Sequence, residues 1–339
     1  VVVRYDYDML GNRTHQASME AGVRRMVGDV AGKPLYAWDD RGHRFRSSYD
    51  ALQRPTESFL REGAGPEMLV GRSVYGETQP NPEASNLRGK LVQLFDQAGV
   101  VTSEDYDFKG NLLSSERKLL DTVQKNGQPE PAYKTTVDWN GNYTLKPESY
   151  TSRTRYDALN RPTQLVAPHS DQPGAKINVI QPAYNDANLL EKVDAWLNRN
   201  AEPGDLLDPA TASLHAVTDI DYDAKGQRIL IDYGTSDGKV IRTRYTYDRK
   251  TFRLTHLYTR RGLDPATGQG VSFTDDCDNP QPPPPTIAAP DEAPQGKSCG
   301  LQNLHYTYDP AGNITHIRDD AQQTIYNTNA RVETVSYTH

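Results

Sequence analysis

A short tyrosine–aspartate unit recurs along the whole chain and constrains its fold more than any other feature. Each unit has an aromatic residue, an aspartate and, in most copies, a glycine or asparagine three residues after the aspartate. Tandem repetition of one short unit indicates an architecture in which each unit packs against its neighbours. The units begin at Tyr7, Tyr49, Tyr106, Tyr156, Tyr222 and Tyr308, with variants at Trp38, Phe95, Tyr184 and Tyr247.

Each unit predicts a strand, a tight turn and a returning strand. The aspartate side chain can accept hydrogen bonds from backbone N–H groups inside the turn. The glycine or asparagine can adopt a positive φ, which branched side chains resist. We therefore predict a structural role in the repeat turns for Tyr7, Asp8, Gly11, Tyr49, Asp50, Tyr106, Asp107, Gly110, Tyr156, Asp157, Tyr222, Asp223, Gly226, Tyr308, Asp309 and Gly312.

The residues beside the turns alternate as they do in strands that bury one face. Tyr245 and Tyr247 are two positions apart, as are Tyr306 and Tyr308, so each pair lies on one side of a sheet. Hairpins of this kind laid side by side form a strip that twists and coils. The chain is therefore predicted to be all-β, with tandem β-hairpins forming a curved, spiralling antiparallel sheet.

Composition agrees with a folded β-protein and disfavours several functional classes. Hydrophobic residues make up only 35% of the chain, but 20 tyrosines are spread along it, and disordered chains are poor in aromatic residues. The net charge of −7 disfavours a nucleic-acid partner. No apolar run approaches the roughly 20 residues of a membrane span. The chain starts directly in a repeat, without a signal peptide, and we expect it to be a segment of a longer protein.

We predict a single segment over residues 1–339, with insertions at about 198–214 and 262–301. The second insertion is rich in proline and favours an extended, solvated backbone. It also contains the two cysteines of the chain, Cys277 and Cys299. Two cysteines fit either a disulfide that closes this loop or two free thiols, and the sequence leaves both open.

The sequence shows no catalytic constellation, so we expect no enzyme activity, no cofactor and no metal site. The repeated aspartates are accounted for by the turns, and no histidine or cysteine cluster has the spacing of metal ligands. The acidic doublets Asp39–Asp40 and Asp275–Asp276 lack the spacing of a calcium loop. An alternative function is sugar binding, for which Trp38, Trp139 and Trp196 are the stacking candidates.

The repeated Tyr-Asp-x-x-Gly-Asn unit resembles the signature of RHS, or YD-repeat, proteins. Longer stretches resemble the RHS region of the B component of bacterial insecticidal Tc toxin complexes. These stretches are residues 87–90 (Leu-Arg-Gly-Lys), 104–113 and 220–228. The self-cleaving terminal motif of RHS C components and the β-propeller of B components are both absent from this sequence, so neither self-cleavage nor toxic activity is assigned to it.

The resemblance implies a structural function in an exported toxin. In that family the repeats spiral into a hollow shell that encloses a toxic C-terminal polypeptide until delivery. The implied partners are the remainder of the RHS shell, the enclosed polypeptide and, through regions outside this segment, a pore-forming toxin component. The alternative is a YD-repeat module that binds a carbohydrate or receptor at a cell surface.

Overall fold

The computed structural model describes residues 2–125, 127–235, 238–260, 300–319 and 321, and the backbone alone of 261–263, 325–327, 330–332 and 335–336. These residues form β-strands joined by turns, with helical structure limited to three short 3-10 turns in the described part. The prediction of an all-β fold is confirmed. Contacts divide the chain into two compact units, residues 1–161 with 165–177 and residues 162–164 with 178–339.

In the first unit the strands pair antiparallel in the order of the sequence, except that β11 lies against β10 and β12 also pairs with β10. The strands are β1 (Val3–Tyr7), β2 (Arg13–Ser18), β3 (Gly22–Gly28), β4 (Pro34–Asp39), β5 (His43–Tyr49), β6 (Pro55–Glu62), β7 (Glu67–Tyr75), β8 (Leu91–Asp96), β9 (Gly99–Tyr106), β10 (Leu112–Lys125), β11 (Gln128–Pro131) and β12 (Tyr143–Tyr156). Short 3-10 turns occupy Gly76–Thr78 and Ala132–Lys134.

Two strands, β13 (Pro162–Ser170) and β14 (Ile177–Tyr184), contain residues of both units. In the second unit β15 pairs with β16, and a sheet runs in order from β17 to β22 and then to β25. The strands are β15 (Leu190–Arg199), β16 (Leu214–Val217), β17 (Asp219–Tyr222), β18 (Arg228–Gly234), β19 (Val240–Tyr247), β20 (Leu254–Leu263), β21 (Gln302–Tyr308), β22 (Ile314–Asp319), β23 (Ile325–Asn327), β24 (Ala330–Val332) and β25 (Val335–Ser336).

The repeat turns lie at one edge of the sheet in each unit. Because consecutive strands are antiparallel, every second turn returns to the same edge. We call this the repeat edge. In the first unit it carries the turns at residues 8–12, 29–33, 50–54, 107–111 and 157–161, and in the second unit those at 185–189, 223–227, 248–253 and 309–313. The variant units at Trp38 and Phe95 turn at the opposite edge, which explains why each precedes a tyrosine unit by 11 residues.

A segment of irregular chain covers one face of the first sheet. This strap, residues 132–142, contributes Val137 and Trp139 to a core that also contains Leu69, all at most 3% exposed. The Trp139 N–H donates to the Leu69 carbonyl at 2.8 Å, and Asp138 Oδ1 accepts from the Leu69 N–H at 2.9 Å. The side chain of Gln97 both accepts from the Val137 N–H (2.8 Å) and donates to the Val137 carbonyl (3.1 Å). The strap is therefore bound to the sheet through backbone groups as well as apolar contacts.

The insertion at residues 198–214 is fixed to the second unit in a similar way. Gln181, which is buried, accepts from the Leu207 N–H at 2.7 Å and donates to the Leu207 carbonyl at 3.0 Å. The indole of Trp196 donates to Thr211 Oγ1 at 3.0 Å, at the 3-10 turn Pro209–Thr211. The insertion is thus an ordered part of the unit. Most of the proline-rich insertion, residues 264–299 with Cys277 and Cys299, lies outside the described residues.

Candidate functional site

Most repeat turns are closed by the aspartate that follows the aromatic residue. In the first turn the Asp8 N–H donates to the Asn12 carbonyl (2.9 Å), and the Gly11 N–H donates to the Asp8 carbonyl (3.1 Å). Asp8 Oδ1 accepts from the N–H groups of Leu10 (2.9 Å) and Asn12 (2.8 Å). One carboxylate oxygen therefore satisfies two turn N–H groups that no strand partner reaches.

The same arrangement repeats with little change. The side-chain oxygen accepts from the N–H groups two and four residues later at Asp50, Asp107, Asp157, Asn185 and Asp223. At Asp309 the N–H groups three and four residues later donate instead. The residue three positions on has a positive φ in every one of these turns: Gly110, Gly226 and Gly312 where glycine is present, and Gln53 (64°), Asn160 (62°) and Asn188 (65°) elsewhere. Glutamine, like asparagine, therefore tolerates this left-handed position here.

One turn is a residue longer than the others. The Asp248 N–H donates to the Arg253 carbonyl, five residues on, at 2.8 Å. The positive φ then falls on Phe252 (59°), four residues after the aspartate. The extra residue is accommodated inside the turn, so that the flanking strands β19 and β20 still pair.

Several of the turn aspartates have a pKa below its ordinary value. Hydrogen bonds from the side chain of the asparagine four residues later lower the pKa of Asp8, Asp107 and Asp309 below 3.8. The backbone N–H of Arg54 is the largest cause of the lowered pKa of Asp50. A carboxylate engaged in this way accepts hydrogen bonds and is a poor proton donor at neutral pH. This environment suits turn closure rather than acid catalysis.

The tyrosine of most units connects its hairpin to the preceding one. The tyrosine is the last residue of its strand and lies at the repeat edge. Its hydroxyl donates to a backbone carbonyl at the same edge, on the first residue of a strand from the preceding hairpin. These tyrosine links join Tyr49 to Pro34 (2.8 Å), Tyr75 to Pro55 (3.0 Å), Tyr106 to Leu91 (2.8 Å), Tyr184 to Pro162 (3.0 Å), Tyr222 to Leu190 (2.7 Å), Tyr247 to Arg228 (2.9 Å) and Tyr308 to Leu254 (2.7 Å). Tyr7 and Tyr156 end β1 and β12 in the same position.

A basic residue covers the ring of several linking tyrosines. It is the residue just before the carbonyl acceptor, at the end of the preceding turn. The cation lies over the ring at 5.7 Å for Lys33 on Tyr49, 3.9 Å for Arg54 on Tyr75, 5.4 Å for Lys90 on Tyr106 and 5.6 Å for Arg253 on Tyr308. Each link thus combines a hydrogen bond with a cation–π contact, which strengthens the connection between neighbouring hairpins.

Two parts of this arrangement escaped the sequence analysis. Asp29 closes a turn like the others, accepting from the N–H groups of Ala31 and Lys33, although no aromatic residue precedes it. Tyr75 makes a tyrosine link although no aspartate follows it. The Asp-x-x-Gly spacing of residues 29–32 is a sequence signal for the Asp29 turn. The signal for the Tyr75 link is a basic residue followed by proline, Arg54–Pro55, one hairpin before the tyrosine.

The described residues contain no group of three or more histidine, cysteine, aspartate or glutamate side chains placed to hold a metal ion. In the part of the chain that the structure describes, no helix has the length and apolar character of a membrane span. Of the candidate sugar-stacking tryptophans, Trp139 and Trp196 are buried and only Trp38 is substantially exposed, at 37%.

Comparison with known proteins finds relatives among bacterial toxin subunits. The toxin subunits YenC2 and YenC1 of Yersinia entomophaga are 25% and 24% identical to the chain over 98% and 93% of its length. The chain spans only 30% and 27% of those two proteins. No protein-family model matches the chain.

Solved Tc toxin structures share its fold. The TcdB2–TccC3–Cdc42 crystal structure aligns with 95% of the chain at a TM-score of 0.59 and 22% identity, over 12% of its own chain. The Photorhabdus luminescens Tc holotoxin pore aligns with 98% of the chain at a TM-score of 0.61 and 22% identity, over 13% of its own chain. The relatives agree with the resemblance seen in the repeated tyrosine–aspartate units: the chain is similar in sequence to Tc toxin subunits and shares the fold of solved Tc toxin structures.

Proposed function

We propose that the chain forms part of the β-sheet shell of a Tc-type toxin component, and that this shell encloses a toxic polypeptide before delivery. The observation that carries the proposal is the series of tyrosine links at the repeat edge. A hairpin alone is marginally stable, so a wall of hairpins needs contacts that join each one to the next. The tyrosine links supply such contacts within both units, whose described strands form antiparallel sheets.

The relatives support the setting of this function. They are named as toxin subunits, and one solved structure of the same fold is described as a Tc holotoxin pore. The chain corresponds to less than a third of the relatives' length, so the rest of the shell, the enclosed polypeptide and any contact with a pore-forming component belong to sequence outside it. We infer a component of an exported toxin complex that acts as a container rather than as an enzyme.

The proposal is tested with the parent protein co-expressed with its downstream polypeptide and treated with graded protease. We expect a protected fragment of the polypeptide that becomes cleavable only when the wall is denatured. The matched control is the same polypeptide expressed alone. If the polypeptide is cleaved equally fast in both samples, the wall does not enclose it, and the proposed function is wrong.

The sugar-binding alternative rests on Trp38, because the other two tryptophans are buried. The ring of Trp38 stacks on that of Tyr36, with centroids 5.9 Å apart and an interplanar angle of 18°. A panel of soluble glycans titrated against tryptophan fluorescence tests it. A saturable change that disappears in Trp38→Phe would favour a carbohydrate-binding module.

A further inference from the structure

One side-chain property recurs at the residue immediately before each strand that leaves the repeat edge. We call this residue the end residue, because it is the last residue of its turn or connection. In the described part of the chain its side chain carries an N–H donor at every such position except Leu189. The end residues with a donor are Asn12, Lys33, Arg54, Lys90, Asn111, Arg161, Gln227, Arg253 and Asn313. Donors at so regular a position indicate acceptors at a matching position.

Each described repeat turn has one backbone carbonyl that its own hydrogen bonds do not use. In the turn of residues 50–54, the Asp50 N–H donates to the Arg54 carbonyl, and the Gln53 N–H donates to the Asp50 carbonyl. The carbonyl of Gln53, the residue with positive φ, takes part in neither bond. The longer turn leaves the carbonyl of Phe252 in the same position. A carbonyl of this kind is stabilised by a donor from water or from another segment.

The end residue of one hairpin donates to this carbonyl in the next turn along the repeat edge. The donor is a lysine ammonium in the first unit and a glutamine amide in the second. These contacts, which we call turn bridges, join Lys33 to Gln53 (2.6 Å), Lys90 to Gly110 (3.3 Å) and Gln227 to Phe252 (2.9 Å). A side chain at the end of one turn therefore completes the hydrogen bonding of the turn that follows.

Two further end residues bond to the next turn at a different oxygen. Asn111 Nδ2 donates to the side-chain oxygen of Asn160 (2.9 Å), and it also donates to Asp107 in its own turn (2.8 Å). The Arg253 guanidinium donates to the Asp309 carbonyl (3.1 Å). The direction is the same in every one of these contacts, from the end of one turn to the following turn.

The same contacts give glycine a second use at the position of positive φ. A Cβ added to Gly312 would lie 2.7 Å from Arg253 Nη2, and one added to Gly110 would overlap the Lys90 ammonium. A Cβ added to Gly11 would have no atom of another described segment within 4 Å. Gly110 and Gly312 therefore leave room for the end residue of the preceding hairpin, in addition to adopting a positive φ.

Leu189, the exception, shows the same geometry without the donor. It ends the turn of residues 185–189, and its Cδ1 lies 3.7 Å from the position of a Cβ added to Gly226. Gly226 is the positive-φ residue of the next turn. The side chain of Leu189 thus reaches the place of a turn bridge but has no N–H to donate to the carbonyl.

We propose that the end residue is a positioning residue: its side-chain donor binds the following repeat turn, so that the stability of each turn depends on the residue that ends the turn before it. This role differs from that of the tyrosine link, in which a hydroxyl donates back to the preceding hairpin. Turn bridge and tyrosine link therefore fix the order and register of neighbouring hairpins from opposite directions. The inference does not rest on the proposed enclosure, because it concerns contacts within each unit.

Gln227 tests the loss of a turn bridge, because it is uncharged and makes the bridge without a cation–π contact. Gln227→Met removes the donor at similar length, whereas Gln227→Lys retains a donor. In the full chain we expect amide hydrogen exchange, followed by mass spectrometry, to become about threefold to tenfold faster at residues 248–253 in Gln227→Met and to stay unchanged in Gln227→Lys. Exchange at residues 223–227, the turn that contains the substitution, is the internal reference and should change less.

Leu189 tests the gain of a turn bridge. Leu189→Lys introduces a donor, and Leu189→Met, which has similar length and no donor, is the matched control. We expect exchange at residues 223–227 to be about threefold or more slower in Leu189→Lys than in Leu189→Met. Exchange at residues 248–253 should be equal in the two variants. Circular dichroism verifies that every variant retains the fold.

Two results would overturn the inference. One is exchange at residues 248–253 that Gln227→Met leaves unchanged, or that it raises no more than Gln227→Lys does or no more than at residues 223–227. The other is equal exchange at residues 223–227 in the two Leu189 variants. Neither measurement involves the enclosed polypeptide, so failure of the turn bridges and failure of the shell proposal are distinguishable.

Discussion

At the scale of single residues, the hydrogen-bonding capacity of one side-chain oxygen determines whether a turn closes. The oxygen must lie next to the strand end and accept two N–H groups, which asparagine does as well as aspartate. Asn185 takes this role in the sequence Tyr184-Asn185-Asp186, where its Oδ1 accepts from the N–H groups of Ala187 and Leu189, both at 3.0 Å. Asp186 follows it as an exposed residue.

The turn at Asn185 allows two adjacent substitutions to be compared. Asn185→Ala leaves two turn N–H groups without their acceptor and is expected to destabilise the fold by about 1 kcal/mol, or a few degrees in Tm. Asp186→Ala, in the same turn, is expected to change Tm by less than a degree or so. Thermal unfolding followed by circular dichroism measures both. Equal effects would show that position in the turn, rather than acceptance by Asn185, determines its stability.

The turn aspartates also predict loss of stability in acid. Hydrogen bonds from Asn12, Asn111 and Asn313 lower the pKa of Asp8, Asp107 and Asp309 below 3.8 in the folded protein. A group whose pKa is lowered by folding contributes stability that is complete above its unfolded pKa and is lost as pH falls towards the folded pKa. We therefore expect the urea midpoint to be constant from neutral pH to about pH 5 and to fall below about pH 4. A urea midpoint that stays constant down to pH 3 would contradict this prediction.

The residues of these turns were largely predictable from sequence. An aspartate after an aromatic residue, with glycine or asparagine three positions on, contains the chemical requirements of the turn, because they are local. The Asp29 turn was not predicted because Gly28 stands where the unit has its aromatic residue, and that aromatic residue serves the tyrosine link and not the turn. The extra residue at Asp248 was missed because nothing in the sequence indicates that Phe252 adopts a positive φ.

At the scale of elements, the tyrosine hydroxyl joins one hairpin to the next. Every linking tyrosine ends a strand and reaches the first residue of a neighbouring strand, so that the two hairpins are held together at the repeat edge. Burial raises the pKa of Tyr222, Tyr247 and Tyr308 above 10. The hydroxyl therefore keeps its proton, and with it the ability to donate, through the neutral and mildly alkaline range.

Removing one tyrosine hydroxyl measures how much one tyrosine link contributes to the free energy of unfolding. Tyr106→Phe retains the ring under Lys90 and deletes the hydrogen bond to the Leu91 carbonyl (2.8 Å). We expect a loss of about 0.5–1.5 kcal/mol in the free energy of unfolding of the first unit. Tyr133→Phe is the control, because Tyr133 is 85% exposed. Chemical denaturation gives both values, and a Tyr106→Phe variant as stable as the control would remove the energetic basis of the links.

Sequence reasoning predicted the hairpins but not the segments that cover them. Hairpins follow from local alternation and turn residues. The position of the strap depends on Gln97, 40 residues before Val137, and on backbone groups of Leu69 beyond the part of β7 that pairs with β8. No local pattern encodes such a pairing. For the same reason Trp139 and Trp196 were candidates for an exposed sugar platform, whereas both are buried: Trp139 packs from the strap into the core beside Leu69, and Trp196 contacts the insertion at residues 198–214.

At the scale of the whole molecule, the first unit has a strand with one partner. In the described part of the chain β1 pairs with β2 alone and ends the sheet. An edge strand presents unpaired N–H and C=O groups, and β1 also exposes Val3, Tyr5 and Tyr7. Natural proteins protect such edges with charge, proline or coverage.

We expect the isolated chain to associate through β1. Its elution volume in size-exclusion chromatography should decrease as concentration rises, and the double variant Val3→Lys, Tyr5→Lys should restore a concentration-independent volume. The same two lysines placed at Val30 and Leu52, exposed residues of repeat turns, form the control and should leave association unchanged. Association that persists in the β1 variant would locate the contact elsewhere.

The tyrosine links have a consequence for how such a wall can lengthen. Tyr49 reaches a residue 15 positions earlier, whereas Tyr308 reaches Leu254 across 54 positions with a hydrogen bond of the same kind. The border opposite the repeat edge therefore tolerates insertions of very different size, whereas at the repeat edge the turns vary little in length, apart from the longer connection of residues 76–90 between β7 and β8. Foreign sequence inserted at the border opposite the repeat edge would leave the tyrosine links between hairpins unchanged. The fold is therefore a suitable scaffold for grafting.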